Sequence, residues 1–227
     1  MTTARAGRGR GRGIPAGLST ERVIEAAERV VDRGGFEALS LRHVATELGV
    51  SPTAIYNHVR DRSALIDAVA DAFVAREMVA DLPTDATPVE VVREAARRVH
   101  RAGCRHPELL LSIAGHRPEA DRTAQHLFGE LILENLLAAG ASEERAQDLY
   151  RTIVALAAGA AIAHRNLSRP SSTPTSLRRE QQRAASSRPA AARLLHELPA
   201  PCDEAAYDRQ LDLVLDGLRQ EHDERTR

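Results

Sequence analysis

Read for the spacing of its apolar residues, the chain is a succession of helices. Val23, Ala27, Val30 and Val31 recur at three- and four-residue intervals. They predict a first helix from about Thr20 to Arg33, capped by Ser19 and ended by Gly34-Gly35. Leu41, Val44, Ala45 and Leu48 mark a short second helix with Ser40 as its N-cap. Gly49 follows, the residue that ends a helix in the left-handed conformation at least steric cost. Val50 plugs the corner. Ser51 and Pro52 read as the cap and first-turn proline of a third helix, whose Ile55 and Val59 return to the same core. Thr53, Tyr56, Asn57 and His58 are left facing outward. Hydrogen-bonding side chains with one aromatic suit a helix that enters a DNA major groove.

The pattern continues downstream. Asp61 is placed to cap a fourth helix running to about Ala80, with Leu65, Ile66, Val69 and Phe73 on its buried side. Val89, Val92, Ala96 and Val99 predict a helix within 84–102, after a loop. Leu109, Leu110 and Ile113 predict another, broken at Gly115-His116-Arg117-Pro118. Residues 121–139 form an apolar helix with Leu127, Leu131, Ile132, Asn135 and Leu136. Residues 143–166 form a long helix whose centre is almost wholly small: Ala155, Ala157, Ala158, Gly159, Ala160, Ala161. A helix apolar on most sides is expected to be buried all round. Residues 168–193, rich in Ser, Pro, Arg and Gln, read as a mobile loop or a short, poorly ordered helix. Residues 203–222 make the last helix, with Tyr207, Leu211, Val214, Leu215 and Leu218 as its stripe.

Composition narrows the class. Hydrophobic residues make up 43% of the 227 and mean hydropathy is -0.33, the profile of a soluble globular protein. No apolar run reaches the roughly 18–20 residues that span a bilayer, so no membrane partner is expected. The N-terminal arginines have no apolar run behind them, unlike a secretory signal. Aromatics are 3% and Trp is absent, which suits Ala/Leu-rich helices over a β-sandwich. The two cysteines, Cys104 and Cys202, are far apart in sequence and form no C-x-x-C. They support neither a disulfide framework nor a zinc ribbon, and a reducing cytoplasm is expected. All 31 basic residues are Arg. Residues 1–62 hold ten of them against seven Asp/Glu, and the remainder hold 21 against 25. The basic bias therefore sits with the proposed DNA-binding end. Residues 1–17 are Gly/Arg-rich and cannot form a core, so disorder is expected. Arg5, Arg8, Arg10 and Arg12 either follow the DNA backbone or minor groove, or only solubilise the chain.

Catalytic motifs are missing. No His pair has i, i+4 ligand spacing, and there is no H-E-x-x-H, G-x-S-x-G or Walker glycine loop. No enzyme activity, cofactor or metal is expected.

The segment LSLRHVATELGVSPTAIYNHV, followed by RDRSALIDAV, resembles the helix-turn-helix of the tetracycline-repressor (TetR) family, where an aromatic-x-His pair closes the recognition helix. The resemblance is strongest over about Ser19 to Phe73. It implies an all-α fold: a three-helix DNA-binding unit joined by a long fourth helix to an all-helical ligand-binding and dimerisation unit. The expected division is an arm at 1–17, the DNA-binding unit at 18–62 and the remainder at 63–227. It also implies a homodimer held by helices 143–166 and 203–222, and GHRP stands where the family carries a Gly-x-Arg-Pro turn beside its inducer. The tetracycline repressors hold a magnesium–drug chelate through a His just ahead of that turn and an acid late in the long helix. Ile113 and Ala163-His164-Arg165 stand at those places, so the tetracycline ligand is not implied.

The expected protein is a homodimeric repressor, released from a palindromic double-stranded operator by a small apolar or amphipathic inducer. Ser40, Arg42, Ser51, Pro52, Thr53, Tyr56, Asn57, His58 and Arg62 are the expected DNA-binding residues. His100, Cys104, Ile113, His116, Arg117, Leu131 and Asn135 are the expected ligand-binding set. The alternative reading is an all-helical small-molecule enzyme or sequestering protein in which the helix-turn-helix is only scaffold.

Overall fold

The computed structural model describes residues 17–83, 85–117, 123–167 and 189–225. The Gly/Arg arm, Pro118 and most of the 168–193 segment, on which expectations were placed, lie outside them. Every regular element among the described residues is helical.

Helix α1 spans Thr20–Ala38 and buries Val23, Ala26, Ala27, Val30 and Val31. Ser19 caps it, its side chain accepting from the Arg22 amide at 3.3 Å. The expected stop at Gly34-Gly35 is a kink instead: Gly35 has φ +68, and the chain re-enters a last turn closed by the Leu39 amide on the Phe36 carbonyl. Helix α2 (Leu41–Leu48) starts at Ser40, whose Oγ accepts from the His43 amide, and ends at Gly49 with φ +67. The Gly49 amide donates to Thr46 O and the Val50 amide to Ala45 O, so the left-handed residue closes the turn into α3 (Pro52–Tyr56). Ser51 precedes α3 without a side-chain cap bond. The Ala54 amide donates to the Ser51 main-chain carbonyl, and Pro52 has no N–H to offer.

Helix α4 (Arg62–Val74) continues into a wide turn at Ala75–Val79. The Ala64 amide donates to Asp61 Oδ1 at 2.9 Å and holds that carboxyl below the usual carboxylate range. Helix α5 (Pro88–Arg105) opens with a capping box: the Glu90 amide donates to Thr87 Oγ1, and the Thr87 amide donates to Glu90 Oε2. Helices α6 (Pro107–Ala114), α7 (Ala124–Ala138) and α8 (Glu143–Leu167) pack around α5. A short helix α9 (Pro189–His196) precedes the last helix, α10 (Glu204–Arg225), which lies on α5 and α8.

One core joins α1 to α8 and α10, from Val23 in α1 through Phe73 in α4 and Val92 in α5 to Leu211 and Leu215 in α10. Within one chain, helix α8 buries only one side. Ala146, Leu149, Ile153, Ala157 and Ala161 face inward, while Ala155, Gly159 and Ile162 are exposed. The inward small residues serve close approach within the chain. A Cβ on Gly103 of α5 would lie 3.1 Å from the Ala161 Cβ and 3.7 Å from the Ala157 carbonyl.

The cysteines overturn another expectation. Cys104 of α5 and Cys202, just ahead of α10, form a disulfide across 98 residues of sequence. Folding brings the two together although nothing local pairs them.

Candidate nucleic-acid interface

The surface that fits nucleic acid is built by α1, α2, α3 and the start of α4. Ala54, Ile55 and Val59 turn inward, and Val44 and Ala45 of α2 meet them in the core. That packing leaves Ser51, Pro52, Thr53, Tyr56 and Asn57 exposed, with Tyr56 57% exposed. An exposed aromatic beside a threonine and an asparagine offers stacking, methyl contact and paired donor and acceptor atoms to base edges or phosphates. His58 is half-buried, and its Nδ1 lies 3.3 Å from Thr20 Oγ1, which fixes the end of α3 to the start of α1.

Charge on this surface is partly spoken for. Arg29 and Arg33 pair with Glu47 at 3.2 and 2.6 Å, and those bonds hold the Glu47 carboxyl below its ordinary range, Arg33 most strongly. Arg42 is exposed, and among the described residues its guanidinium has no partner. Arg62 has a different role from the expected one. Its Nε donates to the Leu39 carbonyl at 2.9 Å and its Nη2 to the Phe36 carbonyl at 2.5 Å. It is a strut from the first turn of α4 to the α1–α2 junction.

The same junction is tied to the rest of the molecule. The Phe36 amide donates to Ser112 Oγ of α6 at 3.2 Å, and the Phe36 ring meets the edge of His116 with centroids 5.5 Å apart. His116 Nε2 in turn lies 2.6 Å from Asp67 Oδ1 of α4. At the other end of α6, His106 Nδ1 lies 2.9 Å from Asp32 Oδ2 of α1. The Ala124 amide at the start of α7 donates to Asp71 Oδ1 of α4. Helix α4 is thus held by the groups at which α6 ends and α7 begins.

The expected ligand set does not converge. His100 is buried, stacks on Tyr207 with centroids 4.0 Å apart, and reaches the Pro201 carbonyl at 3.1 Å. Cys104 is in the disulfide. Both border a groove with Arg101, Arg105, Cys202 and Glu204, on the α10 side of α5. Ile113 is a core residue of α6, His116 pairs with α4, and Arg117 is exposed. Leu131 is half-buried on α7, where its carbonyl accepts from Asn135 Nδ2 at 2.8 Å. Sequence reasoning also missed Thr20, Phe36, Ser112 and Asp67 as positioning residues. Their partners lie 38 to 76 residues away, so no local signal marks them.

Comparison with known proteins agrees with this geometry. Residues 23–69 match the model of "Bacterial regulatory proteins, tetR family". The chain is 33% identical over 116 residues to the HTH-type transcriptional repressor BdcR of Escherichia coli, covering 48% of this chain and 59% of BdcR. It is 28% identical over 211 residues to the HTH-type transcriptional repressor Rv1353c of Mycobacterium tuberculosis, covering 88% and 79%. The chain spans only 24% to 59% of the length of the first curated relatives it matches. The solved structure of SCO7222, a TetR regulator from Streptomyces coelicolor, superposes with a TM-score of 0.64 at 24% identity, covering 90% of this chain and 99% of that one. That likeness gives the same all-helical fold over almost the whole chain. The family match falls on α1 to α4, which carry the exposed Thr53, Tyr56 and Asn57, and residues 23–69 form a domain of the tetR family of bacterial regulatory proteins.

Proposed function

We propose that the chain is a homodimeric transcriptional regulator, a repressor that leaves a palindromic operator when a small apolar or amphipathic ligand binds. One observation carries the DNA reading. The capped α2–Gly49–α3 unit buries Ala54, Ile55 and Val59 and exposes Thr53, Tyr56 and Asn57, and Arg42 of α2 is exposed as well. A scaffold helix has no need of such a face. Thr53, Tyr56, Asn57 and His58 approach bases or adjacent phosphates. Arg42, Ser40, Ser51 and Pro52 line the phosphates, while Arg62 positions the unit. We divide the chain at about residue 62, with DNA binding before it and ligand binding and dimerisation after it.

The outward face of α8 and α10 supports the dimer. Gly159 has open space over it, Ile162 is 41% exposed and Leu213 is 81% exposed. A second copy covers these residues across a two-fold axis, and a two-fold reader requires a two-fold operator. Ligand binding shifts the population between two dimer shapes through the α6–α4 joint. No magnesium is required, because Ile113 and Ala163-His164-Arg165 stand where the tetracycline repressors hold their chelate.

Titration of a labelled duplex library at several salt concentrations tests the reading. Binding should weaken steeply with salt, as phosphate contacts demand. Absence of DNA binding at low salt would remove it.

A further inference from the structure

The disulfide is the feature that a DNA-binding regulator does not need for its fold. Cys104 and Cys202 are the only cysteines in the chain. Their bond fastens the Pro201–Asp203 segment to α5. Both are half-buried and border an open groove with Arg101, Arg105 and Glu204, so a small thiol can reach the sulfurs. Arg101 pairs with Glu94 and Arg105 with Glu77, which sets both guanidinium groups in place around that groove. His100 Nε2 lies 3.6 Å from Cys104 Sγ and 3.1 Å from the Pro201 carbonyl, and so touches both sides of the bond.

Helix α10 does not depend on the bond. Arg97 grips Asp208 at 2.7 and 3.0 Å, Arg93 reaches Asp212 at 2.7 Å, and the Tyr207 hydroxyl donates to the Ala96 carbonyl at 3.2 Å. Opening the disulfide therefore removes the covalent tie of the Pro201–Asp203 segment to α5, leaving the His100–Pro201 contact to hold it, while α10 keeps its seat. A route leads from there toward the DNA-binding unit. Arg105, the neighbour of Cys104, bonds Glu77 at 2.8 Å, Glu77 bonds Arg76 at 3.2 Å, and Arg76 holds both carboxylate oxygens of Glu28 in α1 at 3.1 Å.

We propose that Cys104 and Cys202 form a reversible thiol–disulfide latch that couples the redox state of small thiols to operator affinity, tightening it when closed. The inference rests on the DNA-binding reading above. A regulator acting on DNA works among reduced thiols, where a disulfide that forms is characteristically a transient or sensing one. In opening, the thiolate of a small thiol attacks one sulfur. The S–S electron pair leaves on the other sulfur, which takes up a proton. A second small thiol then attacks the mixed disulfide. Both cysteines end as thiols and two small thiols end as one disulfide. A small disulfide reverses every step.

The full chain is equilibrated in glutathione buffers from fully reduced to fully oxidised. Thiols are counted by alkylation and mass, hydrogen exchange is followed over residues 200–207, and affinity is measured for an operator selected from random DNA. The expected result is reversible opening at millimolar reduced glutathione, faster exchange at 200–207, and operator affinity weaker by about fivefold, at the low end of ordinary coupling between sites. The Cys104→Ser, Cys202→Ser double variant should match the reduced protein in every buffer. A bond that resists glutathione in the native protein overturns the latch, as does one that opens with exchange and affinity unchanged. If neither redox form binds any DNA, the regulator reading fails and the proposed coupling with it, while thiol counts and exchange still report whether the bond opens.

Discussion

His116 Nε2 lies 2.6 Å from Asp67 Oδ1, and this pair joins the end of α6 to the middle of α4. Both side chains are largely shielded, at 16% and 18% exposure, so the carboxylate has little water to replace the imidazole. The Phe36 ring lies against the same imidazole and carries the contact to the α1–α2 junction. His116→Ala should therefore destabilise the protein by about 1–2 kcal/mol, the scale of a shielded hydrogen bond to a carboxylate. Asp67→Asn alone should cost less, and the double variant should be non-additive. Denaturant unfolding of the four proteins checks this, and additive losses would mean the pair does not couple the two helices.

The outward face of α8 gives a cleaner dimer test than its inward face. Gly159 has no heavy atom within 4 Å of an added Cβ, whereas Gly103 is hemmed in by Leu110 and Ala161. Gly159→Arg should leave the single chain folded, with helical signal and unfolding cooperativity intact, and should abolish the dimer. Sedimentation at micromolar concentration reads the outcome. A Gly159→Arg protein that still sediments as a wild-type dimer would move the interface elsewhere.

Burial raises the Tyr207 hydroxyl above its ordinary value, with the Asp208 charge adding to the effect. The folded state therefore keeps this proton more tightly than the unfolded state. The resulting stability is fully present below the unfolded value near pH 10 and is lost as pH rises beyond it. The seat of α10 should loosen in alkali above about pH 10, in the range where an unfolded tyrosine ionises. Tyr207→Phe should remove that dependence and cost about 1 kcal/mol at neutral pH through the lost hydroxyl–carbonyl bond to Ala96. Unfolding curves at neutral pH and above pH 10 compare the two proteins, and identical alkaline losses would contradict the assignment.

Much of the DNA-binding end was legible because its determinants are local. Ser19, Ser40 and Asp61 cap the helices expected of them, Gly49 takes the left-handed turn, and Ile55 and Val59 are buried. The Thr87–Glu90 capping box was equally local, a T-x-x-E spacing that went unread. What could not be read depends on contacts between distant residues. Arg62 looked like a phosphate ligand because it is basic and follows the recognition helix, yet the carbonyls that hold it lie 23 and 26 residues earlier. The small residues of α8 looked like one stripe, but Ala157 and Ala161 meet α5 while Ala155 and Gly159 face outward. Local spacing argued against a disulfide, and packing across 98 residues formed one. The expected ligand residues scattered for the same reason: equal helical spacing does not say which neighbour each face meets.

If the exposed face of α3 reads DNA, the affinity of Tyr56→Ala and Arg42→Ala for an operator enriched from a random pool reports it. The enriched sequence should be an approximate palindrome with half-sites roughly 34 Å apart or a multiple of it. Tyr56→Ala should weaken specific binding by about 1–3 kcal/mol, and Arg42→Ala should weaken all sequences alike and flatten the salt dependence by about one phosphate contact. Unchanged affinity in both variants, with the fold intact, would contradict the account.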